Sequence, residues 1–481
     1  MNKKRIAITL FMAFLSEIAN KIVPLITLHL VAARLGATAF GVAQFSLWLI
    51  DWGVIFTMFG FMQVAPVMLR DATSAVSRST VAGAVVVSRI MLAATAALAL
   101  GFMVRDGSGY SQYKTAVYAS SFILLSTALD STWILLARQK MAVLSAASIT
   151  AKLCSILAVA MLVKNPDDSV TFVVITNAVN AFISMASFLV AAKDIGFAKP
   201  SLRNSLHTLH IALPYAVAVT LIVILERFDL YLVERNLGLA ATGVYAAASK
   251  LVTSLTPIIA SVTSVFYSEM IAHNDIETIY RHLRASLFWV ISIFAPIAVG
   301  IWMIDTEILR IVFGEEFTGG AHVLSILTFG AIAYAIILIF GFQLLALRKQ
   351  WRPLVTGLFA GSIAGYLCAL VFLVSHGSQG IAFAAVIGKW IAAVVIFFAA
   401  IRHWELPIKA IALEMARPLI PSIAMGLVIA PMAHWGLLPK NGLAVTAVSA
   451  LVYCVLFSVA NAREAQLIWV KAIKKFKSHI N

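Results

Sequence analysis

The sequence predicts an all-α polytopic membrane protein of about 14 transmembrane helices, with two six-helix lobes and two extra C-terminal helices. The first observation is composition: 62% of the 481 residues are hydrophobic and 12% are charged, against about 45–50% and about 25% in soluble domains. The second is that the apolar residues form runs of about 20, enough to cross a bilayer as helices. The third is an internal repeat, which predicts the two lobes.

The apolar runs define the predicted spans in chain order. They lie at residues 6–32, 38–62, 80–104, 116–137, 141–163, 170–191, 210–234, 241–271, 284–313, 321–345, 353–375, 379–401, 417–435 and 441–461. The loops on the side of the N-terminus carry 23 Lys and Arg residues, whereas the opposite loops carry 7. The positive-inside rule therefore predicts that this first side, with both termini, is cytoplasmic.

The internal repeat pairs Leu30–Gln44 with Leu232–Ala246, which lie 202 positions apart. The seven identical pairs are Leu30/Leu232, Val31/Val233, Leu35/Leu237, Gly36/Gly238, Ala39/Ala241, Gly41/Gly243 and Val42/Val244. The copies join spans 1 and 2 and spans 7 and 8. Because six spans separate them, both lobes enter the membrane in the same direction, and we expect a pseudo-two-fold axis along the membrane normal.

This repeat and the loop composition predict the domain organisation. The chain divides into an N-lobe (1–191), a cytoplasmic linker (192–209), a C-lobe (210–401), an appendage of spans 13 and 14 (402–461) and a basic amphipathic cytoplasmic tail (462–481).

The composition also argues against other classes of protein. The net charge of +15 is spread over short loops without a basic face or nucleic-acid motif, so we expect no nucleic-acid partner. The three cysteines lie inside apolar runs and have neither metal-ligand nor disulfide spacing. No nucleophile–base constellation appears, so we predict neither an enzyme nor a bound metal or cofactor.

Charged residues inside the spans are the candidate site residues, because each such charge needs a partner or a wet cavity. The candidate ligand-binding cations are Lys21, Lys152, Lys250, Arg227, Arg89 and Lys389. The candidate ion-coupling acids are Glu17, Asp51, Glu226 and Asp229. Six buried cations favour an anionic ligand. The structural alternatives are a simple Glu17–Lys21 ion pair and an ion pair between Asp51 and a neighbouring cation.

The chain resembles the Wzx-type polysaccharide flippases of the multidrug/oligosaccharidyl-lipid/polysaccharide exporter superfamily. The resemblance is carried by the two lobes, by the LG-x-x-x-x-G turns at Leu35–Gly41 and Leu237–Gly243, and by the acidic–basic pair Glu226-Arg227 followed by Asp229. It covers spans 1–12, and spans 13 and 14 match the fourteen-helix members. The segment ERFDLYLVERNLGLAATGVYAAASKL is the most similar part.

The resemblance implies a function in the bacterial inner membrane. The substrate would be an oligosaccharide repeat unit on undecaprenyl pyrophosphate, moved to the periplasmic leaflet by alternating access for O-antigen, capsule or exopolysaccharide synthesis. Coupling would use a proton or sodium gradient, and a glycan polymerase and a chain-length regulator would be partners. Two alternatives stay open: a multidrug antiporter of the same superfamily, and a membrane glycan polymerase or acyltransferase.

Overall fold

The computed structural model describes residues 3–72, 74–138, 141–272, 275–345, 350–434 and 442–461. The side chains of residues 3–25 and of a few further positions within these ranges lie outside the description. The regular structure of these ranges is helical. The α-helices are α1 (Lys3–Met58), α2 (Phe61–Asp71), α3 (Ala75–Met103), α4 (Lys114–Ala119), α5 (Phe122–Leu129), α6 (Thr132–Ala137), α7 (Met141–Leu162), α8 (Ser169–Asp194), α9 (Leu202–Thr253), α10 (Thr256–Ala272), α11 (Ile276–Phe313), α12 (Ala321–Ile336), α13 (Trp351–Trp404), α14 (Ile408–His434) and α15 (Gly442–Ala460). A π-helix, Ile337–Leu345, continues α12.

Three of the longest helices each contain one glycine at which the backbone leaves the helical conformation. Gly36 interrupts α1 at φ 68° and ψ 172°, and Gly238 interrupts α9 at φ 81° and ψ −179°. Gly377 interrupts α13 at φ 53° and ψ −130°. Each break separates two apolar stretches, so each of these helices holds two predicted spans. The two copies of the repeat therefore share a backbone conformation as well as a sequence.

The predicted class, an all-α polytopic membrane protein, is confirmed. Within the described ranges, eight helical segments are long and apolar enough to cross a bilayer, or nine if one bent pair is a single span. This number is consistent with 14 spans because a single continuous helix can contain two of them on either side of a glycine break.

Two predicted spans differ in detail from the structure. Predicted span 4 is divided among α4, α5 and α6, and the two halves of the span meet at 45°. Predicted span 9 begins earlier than expected, because α11 is helical from Ile276 onwards. The apolar side chains of Ile279, Leu283 and Leu287 are all buried at helical spacing, and this packing extends the helix beyond the uniformly apolar run.

The chain packs into two compact units. The first comprises residues 1–246 and 312–317, and the second comprises residues 247–311 and 318–481. The predicted lobe boundary at 192–209 stays a prediction. The predicted cytoplasmic tail, 462–481, lies outside the described residues.

The amphipathic helix α2 shows how the first unit is assembled. Phe61, Val64 and Leu69 are spaced three to five residues apart and are buried. They share a core cluster with Trp133 of α6, which is 1% exposed. A positive φ of 70° at Gly60 turns the chain into α2, because glycine adopts this conformation without a steric cost.

Candidate functional site

The candidate site lies in the first unit, where an ion pair joins α1 and α9. The α1 residue lies after Gly36, and the α9 residue lies before Gly238. Nη1 of Arg227 in α9 donates to Oδ2 of Asp51 in α1 at 2.5 Å. The two side chains are 41% and 38% exposed, respectively, so the pair is partly accessible. Asp51 follows Gly36 by about 22 Å of helix and Arg227 precedes Gly238 by about 16 Å, at 1.5 Å per residue. The two glycines lie at the turns between predicted spans. Both distances from these turns are shorter than a hydrocarbon core of about 30 Å, so the charges lie within the predicted spans.

A second hydrogen bond ties the same two helices together. Nε1 of Trp48 donates to the backbone carbonyl oxygen of Arg227 at 2.9 Å. Arg227 thus bonds Asp51 through its side chain and Trp48 through its backbone. The Trp48 bond holds the backbone of Arg227 in position for the ion pair.

Aromatic rings extend from Trp48 toward the loop that follows α3. The Trp48 ring stacks with Phe45 at 5.1 Å between centroids and with Tyr231 at 5.9 Å. Phe45 also stacks with Tyr110 at 6.2 Å and contacts Tyr113 at 4.8 Å. We call these five residues the aromatic cluster. Phe45 and Tyr113 are buried, whereas Trp48, Tyr110 and Tyr231 are half-buried and keep part of their surface exposed.

Polar groups border the aromatic cluster. The Tyr113 hydroxyl donates to Oε1 of Glu234 at 2.6 Å, and the Gln112 amide donates to the same oxygen at 3.4 Å. Burial, followed by its hydrogen bond with Tyr231, raises the pKa of Tyr110 to about 12. Tyr110 therefore stays protonated at neutral pH. The site thus combines aromatic surface with carboxylate and hydroxyl groups.

Asp229 lies two residues after Arg227 but has a different environment. Its side chain is 3% exposed, and Oδ2 accepts a hydrogen bond from the Tyr245 hydroxyl at 2.6 Å. Its Oδ1 accepts one from the backbone N–H of Leu230 at 2.8 Å. The bond from Tyr245 joins the two halves of α9 across Gly238, which favours a structural role for Asp229.

Arg89 is bound at a break in predicted span 4. It is 2% exposed, and its Nη1 donates to the backbone carbonyl oxygen of Asp130 at 2.5 Å. The carboxylate of Asp130 accepts hydrogen bonds from Thr132 and Ser187. Because residue 130 is not helical, its carbonyl oxygen needs such a donor. The described contacts of Arg89 are thus those of a structural residue.

The structure brings together only part of the predicted set. Lys152 in the first unit, and Lys250 and Lys389 in the second, are half-buried, as is Glu226. The stem of Lys389 packs beside Gly330, where an added Cβ would lie 3.3 Å from Cδ of the lysine. Glu17 and Lys21 belong to α1, but their side chains lie outside the described residues. Across the described ranges, no group of three or more His, Cys, Asp or Glu residues could hold a metal ion.

The aromatic cluster was not predicted from the sequence. One part of it is visible in the sequence. Phe45 and Trp48 of the cluster and the neighbouring Trp52 lie on one helical face, at spacings of three and four. Such a stripe is also typical of ordinary core packing. Only the contacts with Tyr110, Tyr113 and Tyr231, which come from other segments, distinguish it.

Comparison with solved structures identifies the fold. The chain is similar to the lipid II flippase MurJ in an inward closed conformation, with 17% identity and a TM-score of 0.76 over 94% of this chain and 98% of that one. It is also similar to an inward-facing multidrug resistance MATE transporter of the MOP superfamily, with 14% identity and a TM-score of 0.63 over 80% and 94%. A Vibrio cholerae MATE transporter matches with 14% identity and a TM-score of 0.54 over 82% and 97%.

The sequence comparisons give the family. No curated protein matches the chain significantly. The model of a family described as "Polysaccharide biosynthesis protein" matches residues 9–267, which is more than half of the chain and includes both copies of the repeat and the Asp51–Arg227 pair. The chain therefore belongs to this polysaccharide biosynthesis protein family, and its fold is similar to that of the lipid II flippase MurJ and of the MATE transporters.

Proposed function

We propose that this protein is a flippase for an undecaprenyl-pyrophosphate-linked oligosaccharide repeat unit. It moves the repeat unit from the cytoplasmic to the periplasmic leaflet of a bacterial inner membrane by alternating access, for O-antigen, capsule or exopolysaccharide synthesis. The observation that carries the proposal is the partly accessible Asp51–Arg227 pair beside the aromatic cluster, in a chain of the polysaccharide biosynthesis family. The basic loops favour cytoplasmic termini.

Arg227 is the proposed ligand for the pyrophosphate. A guanidinium can bind two phosphate oxygens with parallel hydrogen bonds. In the structure this group is held by the Asp51 carboxylate, so phosphate and carboxylate compete for the same donor. Substrate binding then releases Asp51, which can accept a proton or bind a sodium ion. Binding of the substrate therefore promotes binding of the ion. Asp51 is the proposed coupling acid.

The aromatic cluster is the proposed surface for the sugars. A pyranose ring has an apolar face that packs on an aromatic ring and a polar edge that forms hydrogen bonds. Trp48 and Tyr231 offer the ring surface, and Glu234 and Gln112 offer hydrogen-bonding groups. Lys21, Lys152, Lys250 and Lys389 are proposed to guide the anionic substrate along its path, while Glu17 and Glu226 contribute to ion coupling.

The test measures export of polysaccharide to the cell surface. It uses cells that lack this gene but carry the other genes for synthesis of the polysaccharide whose repeat unit the protein moves. Arg227→Ala should abolish surface polysaccharide and cause the lipid-linked repeat unit to accumulate in the cytoplasmic leaflet. Arg227→Lys should restore part of the export, because it keeps the charge but not the bidentate geometry. Arg203→Ala removes an exposed arginine of the same helix and is the matched control. Normal export by Arg227→Ala at normal protein level would contradict the proposal.

A multidrug antiporter is the second candidate. Its support is the fold, since MATE transporters match at a TM-score of 0.63. The same cells distinguish the two functions, because an antiporter would lower the accumulation of cationic drugs without affecting surface polysaccharide.

A further inference from the structure

A second cluster of charges lies in the second unit, where the start of α11 packs against α14. Glu414 of α14 is 6% exposed. Its Oε1 accepts hydrogen bonds from Nη2 of Arg284 in α11 and, at 3.3 Å, from Nη1 of Arg417. One buried carboxylate therefore orients two arginines.

The cluster has more positive charge than its carboxylate neutralises. Exposed Arg281 lines the same cavity as Arg284 and Glu414, so three arginines surround one acid. The excess positive charge in this cavity attracts an anion. The attraction is stronger than it would be in bulk water because part of the cavity lining is apolar.

Two buried donors in this region lack a hydrogen-bond partner among the described residues. They are Nε of Arg284 and the hydroxyl of Tyr280. The two groups are neighbours, since the Arg284 guanidinium lies 5.5 Å from the centroid of the Tyr280 ring. A buried donor without an acceptor is costly, and a bound oxyanion would supply the acceptor.

The shape of the cavity fits the head of a membrane lipid. Its volume is about 320 Å³, and beside the charged residues it is lined by Phe288 and Trp289. Tryptophan is enriched where a membrane protein meets the lipid headgroups. The cavity lies at the start of predicted span 9, on the side that carries most of the basic residues and is predicted to be cytoplasmic.

We propose that this cavity binds the phosphate of an anionic membrane phospholipid. Arg281 and Arg284 contact the phosphate oxygens, Glu414 orients Arg284, and Trp289 packs against the glycerol backbone. Basic pockets between transmembrane helices at the cytoplasmic face are suited to such headgroups. This site is separate from the Asp51–Arg227 pair and does not depend on which substrate the protein carries.

The experiment measures lipid retention by the full chain. The purified protein is equilibrated with phosphatidylcholine vesicles with or without phosphatidylglycerol, and bound lipid is counted by native mass spectrometry. Wild type should retain phosphatidylglycerol in preference to phosphatidylcholine. At about 1 kcal/mol per arginine, Arg281→Ala should weaken retention about fivefold and Arg281→Ala/Arg284→Ala about thirtyfold.

The matched control is Arg402→Ala/Lys409→Ala, which removes two exposed positive charges from the same predicted side. It should retain phosphatidylglycerol as wild type does. An equal loss in the control would overturn the proposal, because the effect would then be general surface charge. Unchanged retention by both arginine variants would also overturn it. Because Arg281 donates to Thr278 and it is Arg284 that bonds Glu414, the single variant leaves the Arg284–Glu414 pair in place and is informative even if the double variant folds poorly.

Inorganic phosphate distinguishes the source of the anion. If phosphate displaces phosphatidylglycerol at millimolar concentration, the cavity is a site for soluble anions and the lipid proposal is wrong. If it does not, the lipid tail contributes to binding, as proposed.

Discussion

Gly41 and Gly243 face each other at equivalent positions of the two repeat copies. A Cβ on Gly41 would lie 2.1 Å from the carbonyl oxygen of Leu239, and a Cβ on Gly243 would lie 1.9 Å from that of Ala37. The two contacts are equivalent by the repeat spacing of 202 residues: Gly41 corresponds to Gly243, and Ala37 corresponds to Leu239. This reciprocity is the local signature of a two-fold relationship between the repeat copies.

The first prediction concerns this helix crossing. Gly41→Ala and Gly243→Ala should each lower stability, because the added methyl group would overlap a backbone carbonyl that cannot move alone. We expect about 1–3 kcal/mol for each, as for other overpacked positions. Thermal unfolding of the purified variants measures the change. Gly300→Ala is the control, since its Cβ would meet nothing within 4 Å.

A second prediction separates backbone strain from crowding. A Cβ on Gly238 would meet nothing within 4 Å, yet this residue has a φ of 81° and a ψ of −179°, a region that is almost exclusive to glycine. Gly238→Ala should therefore cost about 1–3 kcal/mol through conformation alone. Unfolding temperatures of Gly238→Ala and Gly300→Ala provide the comparison. Equal temperatures would show that the break tolerates a side chain.

The third prediction concerns the helix that begins after Gly36. Oε1 of Glu316 accepts a hydrogen bond from the backbone N–H of Ala37 at 2.9 Å, and so caps a helix start. Glu316→Ala should destabilise the protein by about 1 kcal/mol, the usual effect of losing a cap. Asp167→Asn, at an exposed loop position, controls for the loss of negative charge. If thermal unfolding shows the same change in both variants, the cap contributes nothing.

A fourth prediction separates two roles of Trp48. Trp48→Phe keeps an aromatic ring but loses the hydrogen bond to the Arg227 carbonyl oxygen, so it should lose about 0.5–1.5 kcal/mol of stability. Trp48→Leu loses the ring as well and should also bind the glycan more weakly. Export at matched protein levels tests this difference: Phe should keep more of it than Leu. Equal export would exclude Trp48 as a sugar-binding surface.

The sequence alone predicted the features that depend on local properties. The length of an apolar run decides whether a helix can span a membrane, which is why the all-α membrane class followed from composition. The repeat glycines Gly36 and Gly238 were also visible, because a positive φ is a local requirement that glycine meets. The intramembrane charges could be named for the same reason: their cost depends on their own position in a span.

Only the tertiary structure decided which of these residues act together. Arg227 and Asp51 are 176 positions apart, and the sequence left open whether Asp51 has a cationic partner. Arg89 and Arg227 look alike as intramembrane cations, yet one binds the carbonyl oxygen at a helix break and the other an accessible carboxylate. The aromatic cluster joins residues from three segments of the chain. Such pairings depend on how distant helices pack, and no local pattern specifies that packing.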